Sequence, residues 1–276
     1  MFSVLGDREI SGRAGTILEG ESGANDPVGI ALMLGMIQLA THEHATFWIV
    51  VREFALQMAI GLAFGIAGGI LLGAAMTRLT LPSSGLYTVR TLAGAAIIFG
   101  VATVAHGSGF LAVFVAGLLV GDLRAPFKTE IEVFQEALAA LAEVVVFVAL
   151  GLTITIGDLD AARWAEGLLL AAFLALVARP VVVALLLSPT HLRRPERAFI
   201  AWGGLKGAVP ILLAAFALAE AVPHARAIYE LVFVVVLASV VVQGGTIPVV
   251  ASRLGIEMRR IGPMPRAAQS PSAPSR

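Results

Sequence analysis

The chain has 276 residues, no cysteine, and 19 basic side chains against 19 acidic ones. Hydrophobic residues make up 58% and charged residues 14%, whereas a soluble domain carries about 25% charged residues. This composition excludes a disulfide scaffold, a thiolate metal centre and a basic nucleic-acid-binding surface, and it predicts an all-α polytopic membrane protein.

Residues 1–13 mix charges and lack a basic segment followed by an apolar run, so they read as a cytoplasmic loop rather than a signal peptide. The next stretch, Glu19 to Leu34, is polar up to Pro27 and uncharged and apolar from Val28 onward. Carboxylates at the mouth of an apolar span mark an ion or proton pathway by default. Glu21/Asn25 and Ser22/Asp26 are i, i+4 pairs and share adjoining rows of a helix. Pro27 would withhold a hydrogen bond from the Gly23 carbonyl and open that turn, leaving oxygens suited to a hard cation. The alternative is a helix N-cap at Asn25 or Asp26 with Pro27 in the first turn.

Thr41-His42-Glu43-His44 interrupts the apolar run and reads as an exposed loop, since histidines at i, i+2 do not share a helix face. A second span is expected over Phe54–Met76, with Gly61, Gly65, Gly68, Gly69 and Gly73 forming a small-residue stripe for close helix approach. Arg78 to Arg90 reads as a polar break. Short spans follow over Thr91–Ala105 and Gly109–Val120, joined by His106-Gly107-Ser108-Gly109. That tetrapeptide permits an intramembrane hydrolase as an alternative, although a glycine-rich reversal explains the same residues. A fifth span covers Ala137–Ile156 and contains Glu143.

The sixth span, Trp164–Leu187, carries Arg179 directly before Pro180, and an arginine at this depth needs a partner. The seventh, Ala198–Ala219, is interrupted by Trp202-Gly-Gly-Leu-Lys-Gly-Ala-Val-Pro210, which describes a broken helix of the kind that walls transporter sites. Lys206, Gly207 and Pro210 belong to that wall. The eighth span is Tyr229–Val250. The transmembrane unit is therefore expected over residues 1–255, with a disordered tail over 256–276. Alternating the loops through eight spans puts 14 Arg/Lys on one side and 3 on the other, with Arg179 and Lys206 inside spans. The positive-inside rule then places both termini in the cytoplasm.

Four stretches, Leu18–Pro27, Gly107–Gly117, Phe147–Leu152 and Trp202–Ile211, together resemble the monovalent cation/proton antiporters of the sodium/proton exchanger superfamily. The bacterial potassium/proton branch is the nearest. The resemblance covers nearly all of residues 1–255. It implies an inverted-repeat fold of about eight transmembrane helices here, with broken helices near the midplane. It also implies a carrier in the bacterial inner membrane that exchanges K+ or Na+ for protons by alternating access, without a cofactor, and that forms a homodimer. It casts Asp26 as the group that exchanges cation for proton, with Asn25 and Ser22 adding oxygens, and Glu21 as the partner of Arg179. Where the family usually has arginine, Lys206 stands. The family has further spans ahead of this region, one with a Thr-Asp-Pro break. The chain is therefore expected to be an N-terminally truncated part of a transporter, inactive by itself. A channel or a non-transporting membrane subunit is the other class that would use the same polar stretch.

Overall fold

A computed structural model describes residues 8–10, 12–41, 46–256 and 258–260. The His42–His44 loop and residues 261–276 of the expected tail lie outside the described residues. The helices, in chain order, are α1 (Arg13–Thr41), α2 (Phe47–Arg78), α3 (Ser84–Val104), α4 (Gly109–Gly121) and α5 (Lys128–Thr153). They continue with α6 (Ala161–Leu187), α7 (Arg194–Trp202), α8 (Val209–Ala219) and α9 (Ala225–Arg253). Five of them, α2, α3, α5, α6 and α9, are long and apolar enough to cross a membrane, and α4 and α8 are shorter apolar helices. The protein is an all-α polytopic membrane protein. Two short strands, β1 (Arg8–Ile10) and β2 (Met258–Arg260), pair antiparallel and bring the two ends of the described chain together.

The glycine stripe of α2 sets the closest helix pair. A Cβ on Gly61 would stand 2.6 Å from the Ser108 carbonyl oxygen, and one on Gly65 would stand 2.8 Å from that of Ala112. One on Gly69 would lie 2.9 Å from the Cα of Ala116. Backbone therefore meets backbone along α2 and α4, the approach that small residues permit in lipid. His106–Gly109 is the turn that starts α4. Ser108 is buried, its hydroxyl accepts from the Leu111 N–H at 3.2 Å, and its own N–H donates to the Gln57 carbonyl at 2.9 Å. These bonds make Ser108 a helix cap.

Several boundaries differ from expectation, among them α2, which starts at Phe47 rather than Phe54. The polar break ends at Ser83, and α3 begins seven residues before Thr91. Arg90 lies within α3 because its guanidinium donates to the Ala75 and Leu79 carbonyls at 3.0 and 2.9 Å, neutralising the C-terminal end of α2. The fifth helix starts at Lys128, so its charged turns are helical too. Finally, α1 is continuous through Pro27. The turn does not open, and the N-cap alternative is ruled out because Asn25 and Asp26 lie in mid-helix. Pro27 leaves the Gly23 carbonyl without its i+4 donor but does not end the helix.

α1 packs against α2 and α4 on one side and against α7 and α8 on the other, so it joins two groups of helices. A buried cluster of Ala14, Leu18, Phe199, Ile200, Ile247 and Ala251 ties its first turns to α7 and the end of α9. At the opposite end of α9, Glu230 accepts ion pairs from Arg163 at 3.6 Å and Arg226 at 3.1 Å, linking the starts of α6 and α9.

Candidate cation site

The polar residues of α1 face a cavity of about 380 Å³. Its walls are α1 (Glu21, Ser22, Asn25, Asp26), α5 (Ala142, Glu143, Val146), Arg179 of α6, and the non-helical link 203–208 with Pro210 of α8. Helical phase accounts for the α1 wall, since Glu21/Asn25 and Ser22/Asp26 each recur after one turn. Asp26 is half-buried, while Ser22 and Asn25 are exposed. Gly23, on the same helix, lies against the ring of Phe114 of α4 and leaves no room for a Cβ.

Arg179 and Glu21 form a bidentate pair. Nη1 donates to Oε1 at 2.6 Å and Nη2 to Oε2 at 2.8 Å. The same guanidinium donates to the Ile200 carbonyl, from Nη2 at 3.1 Å and from Nε at 3.3 Å. Ile200 sits in the last turn of α7, where a carbonyl has no intrahelical donor. One side chain thus clamps α1 to α6 and closes the end of α7. Glycine at position 204 makes this possible, because a Cβ there would overlap the guanidinium carbon.

The link between α7 and α8 exposes backbone groups that lipid cannot satisfy. Helix α9 supplies their partners. Ser239 Oγ accepts from the Lys206 N–H at 2.9 Å and donates to Gln243 Oε1 at 2.7 Å. Gln243 Nε2 donates to the Trp202 carbonyl at 3.1 Å, and Trp202 Nε1 donates to Thr246 Oγ1 at 3.0 Å. Ser239 and Gln243 are both buried. They lie in a turn of π-helix, Ser239–Gly244, and a second π turn, Leu174–Ala178, immediately precedes Arg179. Single π turns recur at functional sites.

The structure brings Glu21, Ser22, Asn25, Asp26, Arg179, Lys206, Gly207 and Pro210 to one cavity. Sequence reasoning gave no role to Glu143, Ser239 or Gln243. A signal for the last two exists, an i, i+4 polar pair in a run that is otherwise apolar from Leu231 to Gly244. Chemically the cavity offers carboxylate, amide and hydroxyl oxygens beside two cationic side chains, a donor set suited to a hard monovalent cation that competes with a proton.

The family model for the transmembrane region of the sodium/hydrogen exchangers matches residues 1–253. The K+/H+ antiporter NhaP of Alkalimonas amylolytica is 35% identical over 260 residues, covering 94% of this chain and 45% of the relative. The K+/H+ antiporter NhaP2 of Shewanella sp. strain ANA-3 is 33% identical over 261 residues, with the same coverage. The Na+/H+ antiporter NhaH of Halobacillus aidingensis is 31% identical over 271 residues, covering 93% of this chain and 64% of the relative. The chain spans less than half the length of the two K+/H+ relatives.

Proposed function

The chain belongs to the sodium/hydrogen exchanger transmembrane family, and from that premise we propose that it forms the cation-binding part of a carrier exchanging K+ or Na+ for protons. The observation that carries the reading is Asp26, a half-buried carboxylate facing a cavity beside an interrupted helix. In this reading Asp26 is neutralised by either a proton or a cation, and only the neutral site crosses the barrier during alternating access. Asn25 and Ser22 add oxygens to the cation. Glu21 and Arg179 compensate each other and hold α1 to α6. Lys206, Gly207 and Pro210 form the facing wall.

In this reading the carrier lies in the bacterial inner membrane, and the collection of arginine and lysine on one side of the spans supports cytoplasmic ends for this chain. Residues 1–255 act as one transmembrane unit, with 256–276 as a tail. Ser22 and Asn25 are exposed, and polar groups in lipid require cover. Other helices of a transporter supply it in this reading, and the chain alone does not transport.

The test is equilibrium binding of radioactive rubidium, standing in for potassium, and of radioactive sodium to the purified chain. Binding displaced by protons, and weakened roughly 100-fold or more in Asp26→Asn, supports the reading. Proton-insensitive binding, or wild-type binding in Asp26→Asn, overturns it.

A further inference from the structure

A second cavity, of about 430 Å³, lies where α1 and α7 begin and α9 stops. That volume is within the range of small-ligand sites. Its wall takes Arg13 from α1, His191 and Arg193 from the segment before α7, and Leu254 and Ile256 from the segment after α9. The exchange reading uses none of these residues.

The cavity is basic on one side and apolar on the other. Arg13, His191 and Arg193 are exposed, and among the described residues none of the three makes an ion pair. Glu196 also lines the cavity, and its Oε2 accepts the Arg193 N–H at 2.7 Å. Positive groups that converge from separate segments repel one another unless an anion joins them. Two helices start here as well, and their first-turn N–H groups, which lack intrahelical acceptors, add to the positive field. At the end of α9 the last carbonyls are satisfied, since Leu254, Gly255 and Ile256 donate to Val250, Ser252 and Ala251 at 3.0, 3.3 and 3.0 Å. Leu254 and Ile256 are half-buried and supply the apolar side. The bias of arginine to one side of the spans accounts for basic residues at this end, but not for their gathering around a cavity.

We propose that this cavity binds a phosphate group, carried by an anionic lipid of the adjoining leaflet or by a soluble phosphate compound. Arginine forks match phosphate oxygens, and basic groups at a membrane surface attract anionic headgroups. Leu254 and Ile256 suit the apolar start of a lipid. The inference stands apart from the exchange reading, and either can fail without the other.

The purified chain, in a neutral detergent, is titrated by calorimetry with dioctanoyl phosphatidylglycerol, dioctanoyl phosphatidylcholine and inorganic phosphate. Saturable binding of one phosphate-bearing anion per chain is expected, with zwitterionic phosphatidylcholine weaker than phosphatidylglycerol. Binding of phosphatidylglycerol alone makes the source a lipid, and binding of inorganic phosphate makes it a soluble compound. Arg13→Gln and Arg193→Gln should each raise Kd roughly fivefold, the scale of one basic group near a charged surface. Arg13→Lys, which keeps the charge, should stay near wild type. So should Arg124→Gln, at an exposed arginine between α4 and α5, and Asp26→Asn in the other cavity. Absence of saturable binding by either anion overturns the proposal, as does a Kd indifferent to Arg13→Gln and Arg193→Gln. Equal weakening in Arg124→Gln overturns it too, because the anion then senses a diffuse basic surface. An Arg13→Lys variant as weak as Arg13→Gln does the same, since a lost charge is then not the cause.

Discussion

All three guanidinium nitrogens of Arg179 are engaged, two by the Glu21 carboxylate and two, one of them shared, by the Ile200 carbonyl. A lysine offers no planar fork to replace this. Arg179→Lys is therefore expected to lose most of what Arg179→Ala loses in thermal unfolding of the purified protein. Arg179 is 13% exposed and Glu21 38% exposed, so the pair sits between surface and interior regimes. Removing either partner should cost about 1–3 kcal/mol, with the double variant losing less than the sum. Strict additivity would show that the two groups do not stabilise each other. Gly204→Ala should mimic the loss of Arg179, since its methyl would occupy the position of the guanidinium carbon. The residues alone said that an arginine at this depth needs a partner, and the family resemblance pointed to Glu21 as that partner. The bond to Ile200 could not be foreseen, because it depends on where α7 stops.

At the scale of elements, the interruption between α7 and α8 is a pair of helix ends braced from α9. Gln243→Leu would leave the Trp202 carbonyl without its donor, at a cost of about 1–3 kcal/mol. Amide hydrogen exchange should then accelerate across 203–208 while the α2–α4 pair keeps its protection. Equal acceleration in both regions would mean that the brace is not local. The glycine stripe behaves differently. Gly65→Val would push α2 off the Ala112 carbonyl, and protection should fall along α4 rather than around Lys206. Most of the helices behind the expected spans were legible because apolar length and glycine spacing are local properties, and five of them are long and apolar enough to cross a membrane. The starts of α3 and α5 were not, because Arg90 and Lys128 look like loop residues until the carbonyls around them are known. The uninterrupted course of α1 was also hidden. Proline removes one donor, but packing on both sides of the helix decides whether the chain bends.

For the whole molecule, α1 is the joint between two helix groups, and it carries the candidate site on the same turns that make the joint. Motion of one group against the other must change the walls around Asp26. Orientation in the membrane can be checked directly, because the chain has no cysteine. Single cysteines at Gly157 and Pro223 should react with an impermeant thiol reagent from outside intact cells. Those at Ser83 and Arg194 should react only after permeabilisation. The reverse pattern at both pairs would invert the topology. In proteoliposomes with an imposed pH gradient, the chain alone is expected not to collapse the gradient on addition of sodium or potassium. Collapse that is absent in Asp26→Asn would show that the exposed side of Ser22 and Asn25 needs no further cover.

The π turn before Arg179 makes residue count a determinant of the site. An α-helix advances about 100° per residue, so the surplus residue in Leu174–Ala178 sets the azimuth of everything after it. Leu176 and Val177 within that turn are interchangeable among apolar types, since they face outward, 63% and 48% exposed. Deleting one of them is a different operation. It would relax the turn to an ordinary α-helical one and swing Arg179 roughly a quarter-turn away from Glu21 and Ile200, without altering a single contacting residue. Leu176 deletion should therefore resemble Arg179→Ala in stability, while Leu176→Val should resemble the wild type. For this segment, a change of length is the damaging mutation and a change of spelling is the silent one.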